Sequence, residues 1–287
     1  MAGREFWLDW RTVPVGGRRV AYGEAGEGPT VVFLHGWGLD HRAYKAALAR
    51  MVAAGMHVVA PALPGFGGSE SLAGPQTSVR GFADWLEALC ATLGLEEVVA
   101  MGHSFGGAVA IAFAHDHPRR VRALVLVNSI GASAWAHRGG TLRSMAERPL
   151  WDWGLHLPED LWPVRQVRRV LPVVVAEAAG NMLRQPTAFW RVAKMARQAD
   201  LTTELEVLKA RRLPVVVLWG DRDRLVTRPA FEEMCRLLGE PPTVTVGGSH
   251  AWLIAEPDTF GEVMTNVAAV IGLVDDDEPE ALAANDA

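Results

Sequence analysis

Six short runs of aliphatic and β-branched residues recur along the chain: "TVVFLHG" from Thr30, "MHVVAPA" from Met56, "EVVAMGH" from Glu97, "VRALVLVNS" from Val121, "LPVVVLWG" from Leu213 and "PTVTVGG" from Pro242. They tend to be apolar at successive rather than alternate positions, and a strand of that kind must be covered on both faces. Helical patterns fall between them, at 41–53, 78–93, 105–117, 228–239 and 251–272. Strand and helix in alternation predict a three-layer α/β fold with a mostly parallel sheet. The opening "VPVGGRRVAYGEAG" reads as a hairpin turning at Gly16-Gly17, which adds antiparallel edge strands.

The rhythm stops between Gly131 and Ala210. Trp135, Trp151, Trp153, Trp162 and Trp190 fall there among Pro149, Pro158, Pro163, Pro172 and Pro186. A structureless loop of that length does not suit a compact domain, so the segment is expected to form short helices, broken by proline, over the sheet. Its eleven basic and eight acidic residues give it +3, with Arg165, Arg168 and Arg169 close together as a solvated face. Residues 273–287 are acidic and expected to be disordered.

One run breaks in a way that carries chemistry. In "VVAMGHSFGGAVA", residues 98–110, a buried strand meets Ser104 between Gly102 and Gly106 and then resumes as a helix. A serine hydroxyl is a weak nucleophile until a base takes its proton and a third group orients the base. A tight strand-to-helix turn exposes such an oxygen and admits only small neighbours. The helix start beyond it offers unpaired N–H groups and a positive dipole end to developing negative charge, with Phe105 N–H the expected donor. A second donor is expected from Trp37 N–H in "LHGWGLD", where Gly36 and Gly38 let the backbone bend. The same loop fails as a dinucleotide-binding G-x-G-x-x-G, because the last position is His41.

Nine histidines compete for the role of base. His103 is fixed on the turn and points into structure, His35 supports the glycine loop, His57 begins a strand, and His115 and His117 flank a helix end. His137 and His156 lie in the insert, and His41 is a candidate for the pocket. His250, in "VGGSHAW" after the last strand, has the glycines and the sheet-edge position that a base loop requires. For the orienting acid, Asp223 sits deeper than Asp221 in the turn after "VVVLWG", and Asp221 reads as a backbone-capping turn residue. The other acid position, after "ALVLV", holds Asn128, which carries no charge to stabilise an imidazolium.

With "HGWG" as oxyanion loop, "GHSFGG" as nucleophile turn, "GDRDRLV" as acid turn and "GGSHAW" as base loop, the chain resembles the α/β-hydrolase fold family, in its serine-nucleophile branch. The resemblance implies an eight-stranded, mostly parallel sheet with helices on both faces. The hydrolase core would span 1–130 and 211–272, and residues 131–210 would be a helical cap whose Trp135, Trp151, Trp153, Trp162 and Trp190, with His41, border the substrate. One departure is visible: in "APALPGFGGS" the family commonly carries an aspartate where this chain has Ala62, which is expected to weaken a turn hydrogen bond.

A catalytic Ser104, His250 and Asp223 point to acyl transfer without metal or organic cofactor, on a small to medium, largely apolar ester or related carbonyl compound. Carbon–carbon bond hydrolysis and perhydrolysis of the haloperoxidase-like kind use the same motifs, and a ligand receptor with little turnover is the reading from another class. The net charge is −5, and six acidic residues from Asp275 onward account for it, so the chain has no basic field for nucleic acid. The apolar stretch from Val98 to Ala114 contains His103 and Ser104 and is too short for a span, so no membrane partner is expected. The N-terminus has no basic segment leading into an apolar run, which predicts a cytoplasmic protein. Cys90 and Cys235, far apart in helix-like contexts, read as buried thiols. Oligomeric state is left open.

Overall fold

The computed structural model describes residues 8–132 and 164–272. Eight strands form one sheet: β1 (Asp9–Val15), β2 (Arg18–Ala25), β3 (Thr30–Leu34), β4 (His57–Pro61), β5 (Val98–His103), β6 (Val121–Val127), β7 (Val215–Gly220) and β8 (Thr243–Val246). Their spatial order is β1-β2-β4-β3-β5-β6-β7-β8, parallel from β4 to β8 with the β1–β2 hairpin antiparallel at one edge. Leu34 pairs with Gly102, His103 with Val127, and Val127 with Leu218. That register brings the loops after β3, β5, β6 and β7 out at one edge of the sheet, where ligands of open α/β folds bind.

The helices are α1 (Lys45–Ala53), α2 (Val79–Leu93), α3 (Phe105–Asp116), α4 (Val164–Arg184), α5 (Pro186–Gln198), α6 (Thr202–Ala210), α7 (Arg228–Leu238), α8 (Trp252–Ala255) and α9 (Pro257–Val270). The run "FGGAVAIAFA" opens α3 and is buried at every residue, as a helix apolar all round must be. Burying Phe105, Ile111 and Phe113 contributes about 1.5–3 kcal/mol each. Helix α2 begins where Ser78 Oγ accepts the Gly81 N–H at 3.0 Å and stops at Gly94, whose φ of +69° only glycine adopts freely.

Two expected helices are divided. The first begins as a 3-10 turn, His41–Tyr44, before α1, and the last breaks at Glu256 ahead of Pro257. The insert departs from expectation in the other direction, because Pro172 lies inside the 21-residue α4 rather than ending it. An interior proline costs roughly 3 kcal/mol. Here the helix is held from both sides of that residue, since Val170 and Val174 pack on Ala251, Ile254 and Ala255 around α8. No helix among the described residues is long and apolar enough to cross a membrane.

Candidate active site

Ser104 stands between β5 and α3 with φ +55° and ψ −118°, a conformation that a non-glycine residue holds only when its surroundings enforce it. They do so at close range. A Cβ on Gly102 would lie 2.3 Å from the Gly106 carbonyl oxygen, and one on Gly106 would lie 2.2 Å from that of Leu34. Ser104 N–H donates to Val127 O at 3.1 Å, and the Gly107 N–H returns to Ser104 O at 3.0 Å. Thus α3 starts immediately beyond the serine, with Phe105 as its first residue.

Asp223 and His250 come together from the turns after β7 and β8. His250 Nδ1 donates to Asp223 Oδ2 at 2.7 Å, and the Asp223 side chain is fully buried. Its other oxygen, Oδ1, accepts the N–H groups of Leu225 (2.7 Å) and Val226 (2.8 Å). Sequence reasoning passed over the fourth donor: Asn128 Nδ2 reaches Oδ2 at 2.5 Å, while Asn128 Oδ1 accepts the Trp252 indole N–H at 2.8 Å. Four donors on one buried carboxylate fix its plane. Asp221, as expected, caps a turn, accepting the Gly248 N–H at 3.1 Å.

The loop after β3, expected to bind an oxyanion, runs against the serine turn, so that a Cβ on Gly36 would lie 3.2 Å from Ser104 Cβ. His35 Nδ1–H donates to Gly36 O at 2.8 Å, and its Nε2 accepts the Leu63 N–H at 2.9 Å. Burial lowers the pKa of this imidazole, keeping it neutral. The Gly36 carbonyl and the Trp37 N–H belong to one peptide plane, so His35 also sets the direction of the Trp37 donor.

The insert grips this edge through residues four apart. Asn181 Nδ2 donates to Gly38 O at 3.1 Å and Asn181 Oδ1 accepts the Gly67 N–H at 3.2 Å. Gln185 Nε2 donates to Ser69 O at 3.2 Å and its Oε1 accepts from Ser71 Oγ. Phe189 O accepts the Trp37 indole N–H at 2.8 Å, with the two rings 4.7 Å apart. In the turn that lacks an aspartate at Ala62, the Gly67 N–H is therefore met from the insert.

Of the residues expected to border substrate, Trp135, Trp151, Trp153 and Trp162 lie outside the described residues. Trp190 is 48% exposed and packs edge-on against Phe189, and it is Phe189, one residue earlier, that meets Trp37. His41 is fully buried, its ring edge-on to Trp10 at 5.0 Å, and neither nitrogen has a hydrogen-bond partner among the described residues, Nδ1 lying 3.8 Å from Asp40 Oδ1. Burial pushes its pKa down to about 3. A cavity of about 90 Å³ lies between α5 and the loop after β4, lined by Pro64, Leu72, Phe82, Ala188 and Val192 among others. Phe82, on its wall, meets Phe105 edge-on at 5.7 Å. A larger cleft of about 460 Å³, walled by Glu87, Asp116 and Arg120, lies by the amino end of β6, at the opposite edge of the sheet.

This fold and this edge define a class. The Alpha/beta hydrolase family profile matches residues 31–263, and the chain belongs to that family. It is 35% identical to the 2-hydroxy-6-oxo-2,4-heptadienoate hydrolase of Pseudomonas putida, over 83% of this chain and 87% of that one. It is 26% identical to the pimeloyl-[acyl-carrier protein] methyl ester esterase of Proteus mirabilis, over 87% and 96% of the two chains. Among solved structures, the enol-lactonase of Burkholderia xenovorans superposes with a TM-score of 0.74 at 18% identity, covering 90% of this chain and all (100%) of that one.

Proposed function

We propose that the protein is a serine hydrolase cleaving a carboxylic ester of a small to medium, largely apolar substrate through an acyl-enzyme. The observation that carries this reading is the His250–Asp223 hydrogen bond of 2.7 Å beside a Ser104 held on a turn of positive φ. Asp223 holds the proton on Nδ1, which leaves Nε2 bare as the base. Ser104 Oγ then attacks the carbonyl carbon as its proton passes to Nε2. The negative charge that forms on the carbonyl oxygen meets the Phe105 and Trp37 N–H groups, and the imidazolium is stabilised by Asp223. Returning the proton to the leaving alcohol gives the acyl-enzyme, and water activated by the same imidazole releases the acid. The Trp37–Phe189 pair, with Phe66 behind Phe189 at 6.4 Å, supports an apolar substrate.

A second reading is favoured by the relative at 35% identity, named for a substrate with a ketone at carbon 6 of a dienoate. The same serine and base would then cleave a carbon–carbon bond beside that ketone. Product analysis on an activated aryl ester and on a vinylogous diketone separates the two. Common to both is Ser104: a fluorophosphonate should modify it, and Ser104→Ala should lower turnover about a thousandfold or more with folding intact. Label on a different residue, or an unchanged rate in the purified variant, would overturn the assignment.

A further inference from the structure

Two buried side chains beside the site belong to none of the steps above. Tyr44, from the 3-10 turn before α1, is fully buried, and His103, adjoining Ser104, is 2% exposed. The Gly36 N–H reaches Tyr44 Oη at 3.2 Å, Tyr44 Oη lies 2.9 Å from His103 Nδ1, and His103 Nε2 lies 2.8 Å from the carbonyl oxygen of His250. Donor chemistry allows one direction only. A carbonyl accepts, so His103 Nε2 carries the hydrogen; Nδ1 of the neutral ring is then bare and accepts a hydrogen bond from the Tyr44 hydroxyl; the Tyr44 oxygen in turn accepts from Gly36. The chain of bonds thus begins on the oxyanion loop, passes through the residue that precedes the nucleophile, and ends on the backbone of the base.

We propose that Tyr44 and His103 are positioning residues that lock the oxyanion loop and the base loop in one register about Ser104. The proposal rests on the serine-hydrolase reading. Two features support it. The His103 and His250 rings are 4.8 Å apart, so a neutral His103 leaves the neighbouring imidazole free to take up a proton without facing a second cation. Burial, and then the nearby His250, hold the His103 pKa well below its ordinary value, which agrees with that neutral ring. The close passage of Gly36, where a Cβ would lie 3.1 Å from His103 Nδ1 and 3.4 Å from Tyr44 Oη, leaves no room for a longer linkage.

Tyr44→Phe removes one oxygen while keeping the ring that packs against Phe33 at 4.9 Å. The test measures the second-order rate of fluorophosphonate labelling of Ser104, with kcat and KM for an activated aryl ester, per folded protein. The expected result is a roughly tenfold or greater fall in labelling rate and in kcat, with KM changed less than twofold, because misplacement of this size slows chemistry more than binding. A lower melting temperature with unchanged labelling rate and kcat would mark a merely structural role and overturn the proposal. If the variant does not fold, nitrogen-15 histidine NMR on the wild type decides: His103 should remain a neutral Nε2–H ring from pH 5 to 9, and an imidazolium or Nδ1–H ring would overturn it. Wild-type protein that takes no label at Ser104 would remove the hydrolase reading and this proposal together, whereas labelled wild type with an equally fast Tyr44→Phe removes this proposal alone.

Discussion

Replacing Asp223 by asparagine changes one atom at a carboxylate that accepts four hydrogen bonds, and the two possible amide orientations fail differently. If the amide oxygen keeps the Leu225 and Val226 N–H groups, the new NH2 faces the His250 Nδ1–H and the Asn128 NH2, donor against donor. The imidazole then turns to its other tautomer, with its hydrogen on the nitrogen that should be bare. If the oxygen faces His250 instead, two backbone N–H groups lose their acceptor at about 1–3 kcal/mol each, so the first orientation wins. The loss of charge sets the larger part of the effect. Opposite unit charges about 4 Å apart interact by roughly 4 kcal/mol at an effective dielectric of about 20. Removing that support from the imidazolium slows the reaction by about three powers of ten, and the wrong tautomer adds to it. We expect kcat/KM of Asp223→Asn on an activated aryl ester to fall by about 10³–10⁴. Activity within tenfold of the wild type, with serine labelling intact, would refute this account of the acid.

Asn128→Ala removes a donor to Asp223 and leaves the Trp252 indole N–H, 1% exposed as a residue, without its acceptor, so urea titration should register a loss of about 1–3 kcal/mol together with lower kcat. Glu177, on α4, hydrogen-bonds Asp40, and burial followed by the Asp40 charge raises its carboxyl to about 7. A carboxyl whose folded pKa exceeds its unfolded one stabilises the fold in acid and loses that contribution as pH rises through about 7. Glu177→Gln should therefore gain on the wild type in melting temperature as pH rises from about 4.5 to about 7 and hold a steady difference beyond it, and a constant difference from pH 5 to 9 would count against the shared proton. Gly102→Ala sets a methyl group 2.3 Å from a carbonyl oxygen and should cost several kcal/mol; an unchanged melting temperature would deny the close approach. Activity should climb with pH as His250 gives up its proton, and a flat profile from pH 5 to 9 would exclude His250 as base.

The parts of the molecule that were legible in the sequence are those whose requirements are local. A strand covered on both faces must be apolar throughout, and a serine on a cramped turn must have glycine on either side, so β3 to β7 and the Ser104 turn are written in neighbouring residues. Asp223 and His250 were found because each follows a strand and because the chemistry needs one acid and one base. Asn128 stands at an acid position without a charge, and nothing in "LVNS" announces that its amide lies between Asp223 and Trp252. The docking of the insert was equally hidden. Glu177, Asn181, Gln185 and Phe189 do recur every four residues, but the atoms met by Asn181 and Gln185 are largely peptide groups, and peptide groups look alike at every position of a sequence. Helix phase decided Phe189 over Trp190, and composition alone could not.

That choice of atoms has a consequence for how the protein can change. Asn181 and Gln185 hold Gly38, Gly67 and Ser69 by carbonyl and amide groups that every residue except proline carries in full. Apart from Ser71 Oγ and the Trp37 indole, the loops beneath offer peptide groups, so a different segment with an amide-bearing residue at each of the two positions could take the same seat. Segment and loops are thus fastened by a coupling that reads few side chains of the loops, which lets one be exchanged while the other is kept.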